Sequence, residues 1–287
     1  MRRLVAPRID LGSDKVTAFE NAFASAGTQG RIEYELPYPK HEFLSYLITK
    51  RDVVLHGSGN GAIDVFEPTW QTDYFGRVRR AVFAASDGIW PMFFAILDRS
   101  RYHGSLRNVC YWDVDDDGKR QKCYGFSINA AFLERQPWRE GSIYLLPRAT
   151  FERVVAEDGS PSEEWLSTRI VTPITRLAVS PSDFPFLVDV EGHGDATTDR
   201  FEELVYQLGA GAQELTTNES AIALVLAPRS LWRERAAEFA AMLPAVLPDL
   251  RAEIVDDEHE LVLKVRGTGP GHDRLAVALQ QWRRPIS

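Results

Sequence analysis

The sequence predicts an α+β fold in two parts. Residues 1–190 read as a strand-rich α+β domain, and residues 200–287 read as a small accessory α/β domain. Three observations carry this. Short β-rich runs recur between residues 52 and 180 with few helical patterns among them. The composition shifts after Pro181 into SPSDFPFL and EGHGDATTD (191–199), which reads as a linker. From Arg200 the pattern becomes a helix followed by strand, helix, strand, strand and helix, these last five spelled by AIALVLA, LWRERAAEFAAML, RAEIVD, ELVLKV and RLAVALQQW.

Residues 1–40 read as irregular, with Gly and Pro scattered through them. HEFLSYLITK (41–50) places Phe43, Leu44, Leu47 and Ile48 on one helical face, and the strand Asp52–Leu55 follows. RAVFAAS (80–86) reads as a buried strand. In DGIWPMFFAILDRS, Asp87 is placed to cap a buried helix whose first turn holds Pro91. NVCYW and KCYGFSI flank DVDDDGKRQ, a hairpin signal. Further strands are expected at 142–147, 149–156, 164–171 and 176–180, with EDGSPSE (157–163) as a loop.

The bulk numbers bear on several classes. The chain has 287 residues, 44% of them hydrophobic and 26% charged, with a net charge of -8, which argues against a dedicated nucleic-acid binder. No apolar run approaches the roughly 18 residues of a membrane span. The opening MRRLVAPRIDLGSDK is basic but lacks the apolar stretch of a signal peptide. The two cysteines, Cys110 and Cys123, cannot form a disulfide framework and are expected to face each other across the hairpin as reduced thiols. A cytoplasmic protein is the expectation.

The most informative stretch is VVLHGSGNGAIDVFEP (53–68), where an apolar strand ends in His56-Gly57-Ser58 and runs into further glycines. Three glycines within five residues suggest that something must come close to the backbone. Phe83-Ala84-Ala85-Ser86 follows on a second strand, then a helix with Phe93 and Phe94, and later Glu164-Trp165 at the expected start of a strand. This order resembles the ADP-ribosyltransferase superfamily, in its histidine–tyrosine–glutamate branch, which includes poly(ADP-ribose) polymerases and diphtheria-type toxins. The resemblance covers about residues 41–180. It implies a split β-sheet domain and a mono-ADP-ribosyltransferase-like enzyme that cleaves NAD at the nicotinamide–ribose bond and passes ADP-ribose to a protein or nucleic-acid acceptor, with NAD as co-substrate, no metal and no membrane partner.

Residue by residue, the resemblance implies that His56 holds the ribose hydroxyls and that the Gly57 backbone holds the carboxamide, with Ser58 adding a hydrogen bond. It implies that Phe83 and Phe94, or Phe93, sandwich the nicotinamide, and that Glu164 is the catalytic carboxylate followed by Trp165. The chemistry suits these residue types, because a fixed carboxylate stabilises the positive charge that develops on the ribose, as in glycoside hydrolysis. Two departures stand out. Both tyrosines of the family pattern are phenylalanine here, and the residue two before Glu164 is Ser162, not the Gln or Glu of the arginine-modifying branch. Two other readings therefore stand beside transfer: a catalytically silent module that binds NAD or ADP-ribose, and an NAD glycohydrolase.

Other features have plainer readings. The second His-Gly-Ser, His103–Ser105, follows a helix and reads as a turn. Glu163 and Glu164 can also be read as solvated charges at a loop end, and Glu152 is the competing glutamate for the catalytic role. Asp113–Asp117 reads as a solvated hairpin tip, Asp256–His259 as another, and GTGPGH (267–272) as a loop without a P-loop lysine.

Overall fold

The computed structural model describes residues 1–26, 30–75, 77–102, 106–115, 117–194, 196–256 and 260–283. The chain is α+β. Its first helices and strands are β1 (Leu4–Val5), α1 (Ser13–Ala24), β2 (Arg31–Ile32), α2 (Lys40–Lys50), β3 (Val53–Ser58), β4 (Thr69–Thr72), β5 (Val78–Ala85) and α3 (Trp90–Ile96). Next come β6 (Leu106–Val114), β7 (Arg120–Asn129), α4 (Ala130–Leu133), β8 (Gly141–Pro147), β9 (Glu152–Val155), β10 (Pro161–Ser167), β11 (Thr175–Val179) and β12 (Glu191–His193). The chain closes with α5 (Ala196–Gly211), β13 (Ala212–Thr217), β14 (Ala221–Leu226), α6 (Arg229–Val246), β15 (Arg251–Asp256), β16 (Leu261–Arg266) and α7 (Pro270–Trp282).

Two compact units divide at His193 and Gly194, with the segment Trp70–Arg79 grouped with the second. In the first, the larger sheet runs in the order β2-β11-β8-β3-β5-β10-β9, and a smaller sheet joins β1, β7 and β12 with β6 paired to β7. Helix α3 lies against the larger sheet so closely that two strand positions must lack a side chain. A Cβ on Gly57 would sit 1.8 Å from the Pro91 carbonyl oxygen, and one on Gly141 would sit 2.0 Å from that of Ala95. The opposite side of α3 carries Phe93, fully buried, with its ring 4.8 Å from Phe126 of β7 and 6.0 Å from Phe184. The helix starts where Asp87 directs it: one carboxylate oxygen accepts from the amides of Ile89 and Trp90, and Pro91 fills the first turn, where no amide is needed.

The second unit is an antiparallel sheet in the order β13-β14-β16-β15. Ile222, Leu224, Leu226, Leu261, Leu263 and Val265 alternate inward on its two central strands and pack with Leu204, Leu208, Phe239, Leu243 and Leu279 of the helices. This is the alternation expected of a sheet with one covered face.

Several expectations need correction. Residues 1–40 are not irregular throughout, because α1 lies within them and buries Phe19 and Ala22. Only Val16, Phe19 and Phe23 mark its apolar stripe, too few to stand out by periodicity. Residues 191–199 are not simply a linker, since β12 pairs in parallel with β7. Strand β13 was not expected; it reads AQELTT, without the apolar alternation of its neighbours. Strand β10 begins at Pro161, so Glu164 sits inside a strand, not at its start. The thiols do not face each other: Cys110 pairs with Tyr124 and Cys123 with Tyr111, so successive positions turn them to opposite faces of the hairpin, and both are free and buried.

The hairpin tip is held by Asp115, whose carboxylate accepts from the amides of Asp117 and Lys119, with Gly118 at φ +78. Asp116, His103–Ser105 and Asp257–His259 lie outside the described residues. Asp256 pairs with Arg229. In GTGPGH, Gly269 takes φ +89 before Pro270 opens α7.

The α3 contact gives a sharp prediction. Gly57→Ala must push helix from sheet and should cost about 3 kcal/mol, the upper range for overpacking. Gly59→Ala meets only ordinary contact, at 3.5 Å from Arg139, and should change stability by no more than about 0.5 kcal/mol. Urea midpoints of the two variants compare them directly, and equal midpoints would refute the packing argument.

A second prediction concerns pH. His41 on α2 is buried, neither of its ring nitrogens has a hydrogen-bond partner among the described residues, and burial holds its pKa below the ordinary histidine value. Below about pH 6.5 the unfolded chain binds this proton before the folded chain does, so stability should fall as pH drops from 7 to 5. His56, also lowered by burial, acts in the same direction. His41→Leu should flatten this acid slope in urea titrations at several pH values; an unchanged slope would assign it elsewhere.

Candidate functional site

The three strands that carry the motif lie side by side as β3, β5 and β10. Strands β3 and β8 pair from Val53 to Ser58, whereas β3 and β5 meet at the single register pair Leu55↔Ala85. Beyond it β5 continues to pair with β10, in steady register from Glu164↔Ala85 to Ser167↔Val82.

Register assigns the faces, because residues directly opposite share a face and neighbours along a strand alternate. Leu55, Ala85 and Glu164 form one row. Gly57 and Phe83 are two positions along their strands from that row, so they belong to the same face, which is the face α3 covers through Gly57. Phe83 pairs with Leu166, making Phe83 and Glu164 diagonal neighbours across β5 and β10. Both are half-buried, as is Phe94 on α3.

His56 belongs to the other face. It pairs with Tyr144, and its ring lies 4.7 Å from that of Phe66, beside an apolar cluster of Val54, Phe66, Val82, Ala84, Tyr144 and Leu146 against which Trp165 packs. Its Nδ1 lies 2.6 Å from the Phe83 carbonyl oxygen. A carbonyl can only accept, so Nδ1 carries the proton; burial keeps the ring neutral, and Nε2 is left as an acceptor. The imidazole therefore ties β3 to β5 where their ladder has ended.

The structure thus brings Phe83 and Glu164 together and sets His56 on the reverse of the sheet. Phe93 is enclosed in the core with Phe126 and Phe184, which leaves Phe94 as the aromatic of α3 that reaches the surface. The bare Cα of Gly57 faces α3, whose backbone fills the space that a ligand was expected to use. Ser58 accepts from the Asn60 amide and so begins the glycine turn. That turn folds back over His56's face, where the Tyr144 hydroxyl donates to the Asn60 carbonyl and accepts from the Ile63 amide. Glu152 is exposed at the start of β9.

Sequence reasoning missed the most elaborate polar cluster. Glu163, expected as a loop-end charge, is buried. One carboxylate oxygen accepts from Trp112 Nε1 at 2.9 Å and Arg153 at 3.0 Å, and the other from Ser86 Oγ at 2.8 Å, with Lys122 Nζ at 3.4 Å. Ser86 Oγ in turn accepts from Trp165 Nε1. Lys122 also pairs with Asp87 at 2.9 Å, and the same Asp87 oxygen accepts from the Tyr124 hydroxyl. Burial disfavours the charged ammonium, but Asp87 and Glu163 outweigh it and raise the Lys122 pKa above the ordinary lysine value. Burial and the Asp87 charge also push the Cys110 thiol well up, so it is not a nucleophile at neutral pH. Ser162 and Glu163 are consecutive and both buried, where β10 slips register against β9 between Pro161 and Trp165. A bulge of this kind breaks the alternation a sequence reader relies on. The only available signal was the pairing of two glutamates with Trp165.

Among the described residues, no group of three or more His, Cys, Asp or Glu side chains is gathered as a metal ion would require, and no helix is long and apolar enough to cross a membrane.

Glu163 should matter for stability. Removing its charge leaves Lys122 and Arg153 without one of their partners in a poorly solvated place, so Glu163→Gln should cost about 3 kcal/mol. Glu164→Gln, at a half-buried position, should cost well under half of that. Denaturant unfolding of both variants ranks them, and the reverse order would show that the cluster is not the anchor described. Comparison with family models, with curated proteins and with solved structures returns no match for this chain.

Proposed function

We propose that the first unit is a mono-ADP-ribosyltransferase-like domain that binds NAD and cleaves its nicotinamide–ribose bond. The observation that carries this reading is the diagonal pairing of Phe83 and Glu164 on the α3-covered face of adjacent strands. An aromatic ring beside a half-buried carboxylate suits a flat leaving group attached to a sugar that gains positive charge. Phe83, with Phe94 from α3, packs the nicotinamide ring and limits water. Glu164 stabilises the developing oxocarbenium charge and orients the acceptor, a protein or nucleic-acid nucleophile.

His56 has a different role from the one the resemblance implies. Its proton is committed to the Phe83 carbonyl, so it holds the Phe83 strand in place from the far side of the sheet. Gly57 serves the same end by letting α3 close on the sheet.

One observation favours a second reading, a module that binds NAD or ADP-ribose without turnover: His56 and Glu164 point to opposite faces, so the histidine–glutamate pair of the family pattern does not converge.

Measuring nicotinamide release from NAD separates the two. Under the first reading Glu164→Gln should lower turnover by about 10²–10³, the loss typical of one electrostatic stabiliser, with NAD affinity changed less than about twofold. Bound NAD without release in the wild-type chain would favour the binding module. Turnover equal in wild type and Glu164→Gln would remove Glu164 from the chemistry. With labelled NAD and cell extract, label on macromolecules indicates transfer, and label recovered as free ADP-ribose indicates hydrolysis.

A further inference from the structure

The second unit carries a groove between α5 and α6 with a volume of about 330 Å³. That is the small end of the range for small-molecule sites, roughly 300–1,000 Å³. Its walls are mostly apolar. A Cβ on Gly211 would lie 2.0 Å from Cζ2 of Trp232, so the indole of α6 rests directly on the bare backbone at the end of α5. Only glycine leaves the ring that room. Tyr206 lines the groove with a second ring, itself braced edge-on by Trp282 at 5.1 Å. Leu231 also lines it and is 50% exposed, a large apolar side chain left in water.

One cation joins these walls. Arg235 holds its guanidinium over the Trp232 ring, 5.6 Å from the centroid. Two of its nitrogens are fixed by neutral acceptors: Nε donates to Gln207 Oε1 at 2.8 Å, and Nη1 donates to the Leu231 carbonyl at 2.7 Å. Nη2 has no partner among the described residues, and Arg235 forms no ion pair with any of them. The acid next along this chain of contacts, Glu203, is engaged by the Gln207 amide and by Arg200 at 2.7 Å. The Arg235 charge is thus held in place beside two aromatic rings, without a counter-charge and with N–H donors to spare.

We infer that this groove binds a small aromatic carboxylate. The ligand ring packs among Trp232, Tyr206 and Leu231, and Arg235 receives the carboxylate, whose two oxygens suit a planar guanidinium. Gln207 and the Leu231 carbonyl already order the guanidinium, so little side-chain freedom is lost on binding. One cation and a volume this small fit one ring with one acid group. The site belongs to the second unit and does not rest on the NAD reading of the first.

The test is calorimetric titration of the full chain with 3-phenylpropionate, with 3-phenylpropan-1-ol as the same body without charge. The wild type should bind 3-phenylpropionate with a Kd of about 1 mM or tighter, and the alcohol at least about tenfold more weakly. Arg235→Met should weaken the carboxylate by about 10–100-fold, the range of a charge-assisted hydrogen bond, and change the alcohol by less than about twofold. Ala210→Leu, which fills the groove, should remove binding of both, while Arg120→Met in the first unit should leave both unchanged. A wild-type chain that binds no carboxylate at about ten times that concentration overturns the site, as does Arg235→Met or Ala210→Leu that binds like wild type. If Arg235→Met fails to fold, the wild-type ratio decides: a tenfold preference for the carboxylate supports the site, and equal affinities overturn it. Sedimentation of the chain alone adds one more outcome. A dimer that Leu231→Asp abolishes would give the groove to a second copy and overturn the small-ligand site.

Discussion

The first unit depends on the near-contact of helix α3 with the backbone of β3 and β8. No side chain fits between the Pro91 carbonyl and Gly57, or between the Ala95 carbonyl and Gly141. Because the helix sits that low, Phe93 on its opposite side can reach Phe126 and Phe184, and one short helix serves as the shared core of two sheets. Asp87 sets where the helix begins, and its second oxygen joins the Lys122 and Tyr124 cluster. Helix start, helix depth and buried charge are therefore one arrangement, and a change at Gly57 would be felt at each.

The same contact decides what each motif residue can do. With α3 on one face of β3, the alternation of the strand sends His56 to the other. The single register pair between β3 and β5 leaves the strands unlaced just where the imidazole bridges them. A histidine that looks like a ligand-gripping group by its sequence context is, in place, a fastener between strands. Phe83 and Glu164 lose nothing by this, since their face and spacing come from the β5–β10 ladder, which is regular.

Much of the fold was legible from local pattern. The buried helix after Asp87, the Asp-Gly hairpin, and the strands at β5, β8 and β11 all announce themselves through capping, turn chemistry or apolar runs, which are short-range effects. What was not legible rests on contacts between distant residues. The need for glycine at position 57 is set by Pro91, and the burial of Glu163 is set by Trp112 and Lys122 from another sheet. A glycine-rich turn after a histidine invites a ligand explanation, yet for Gly57 the approaching group is the protein itself. Polar AQELTT carries no strand signal of its own and is a strand because β14 offers it an edge.

The adjacent pair Glu163 and Glu164 shows how far environment separates two identical side chains. Glu163 is buried and receives four donors, two of them cationic, so its charge is spent on joining β10 to Ser86 just past β5, to β7 and β6, and on holding Arg153 of β9. A carboxylate so fully used has little left to offer a substrate. Glu164, one residue on, stands half-buried and diagonal to Phe83, on the face of the sheet against which α3 packs at β3 and β8. The anchored neighbour fixes the backbone from which Glu164 projects, and a rigid carboxylate stabilises a transient positive charge better than one that must first be ordered. Under the proposed function, structural and chemical roles are divided between consecutive residues by the register slip at the start of β10. Glu163 holds the strand, and Glu164 is the one of the two that shares a face with Phe83.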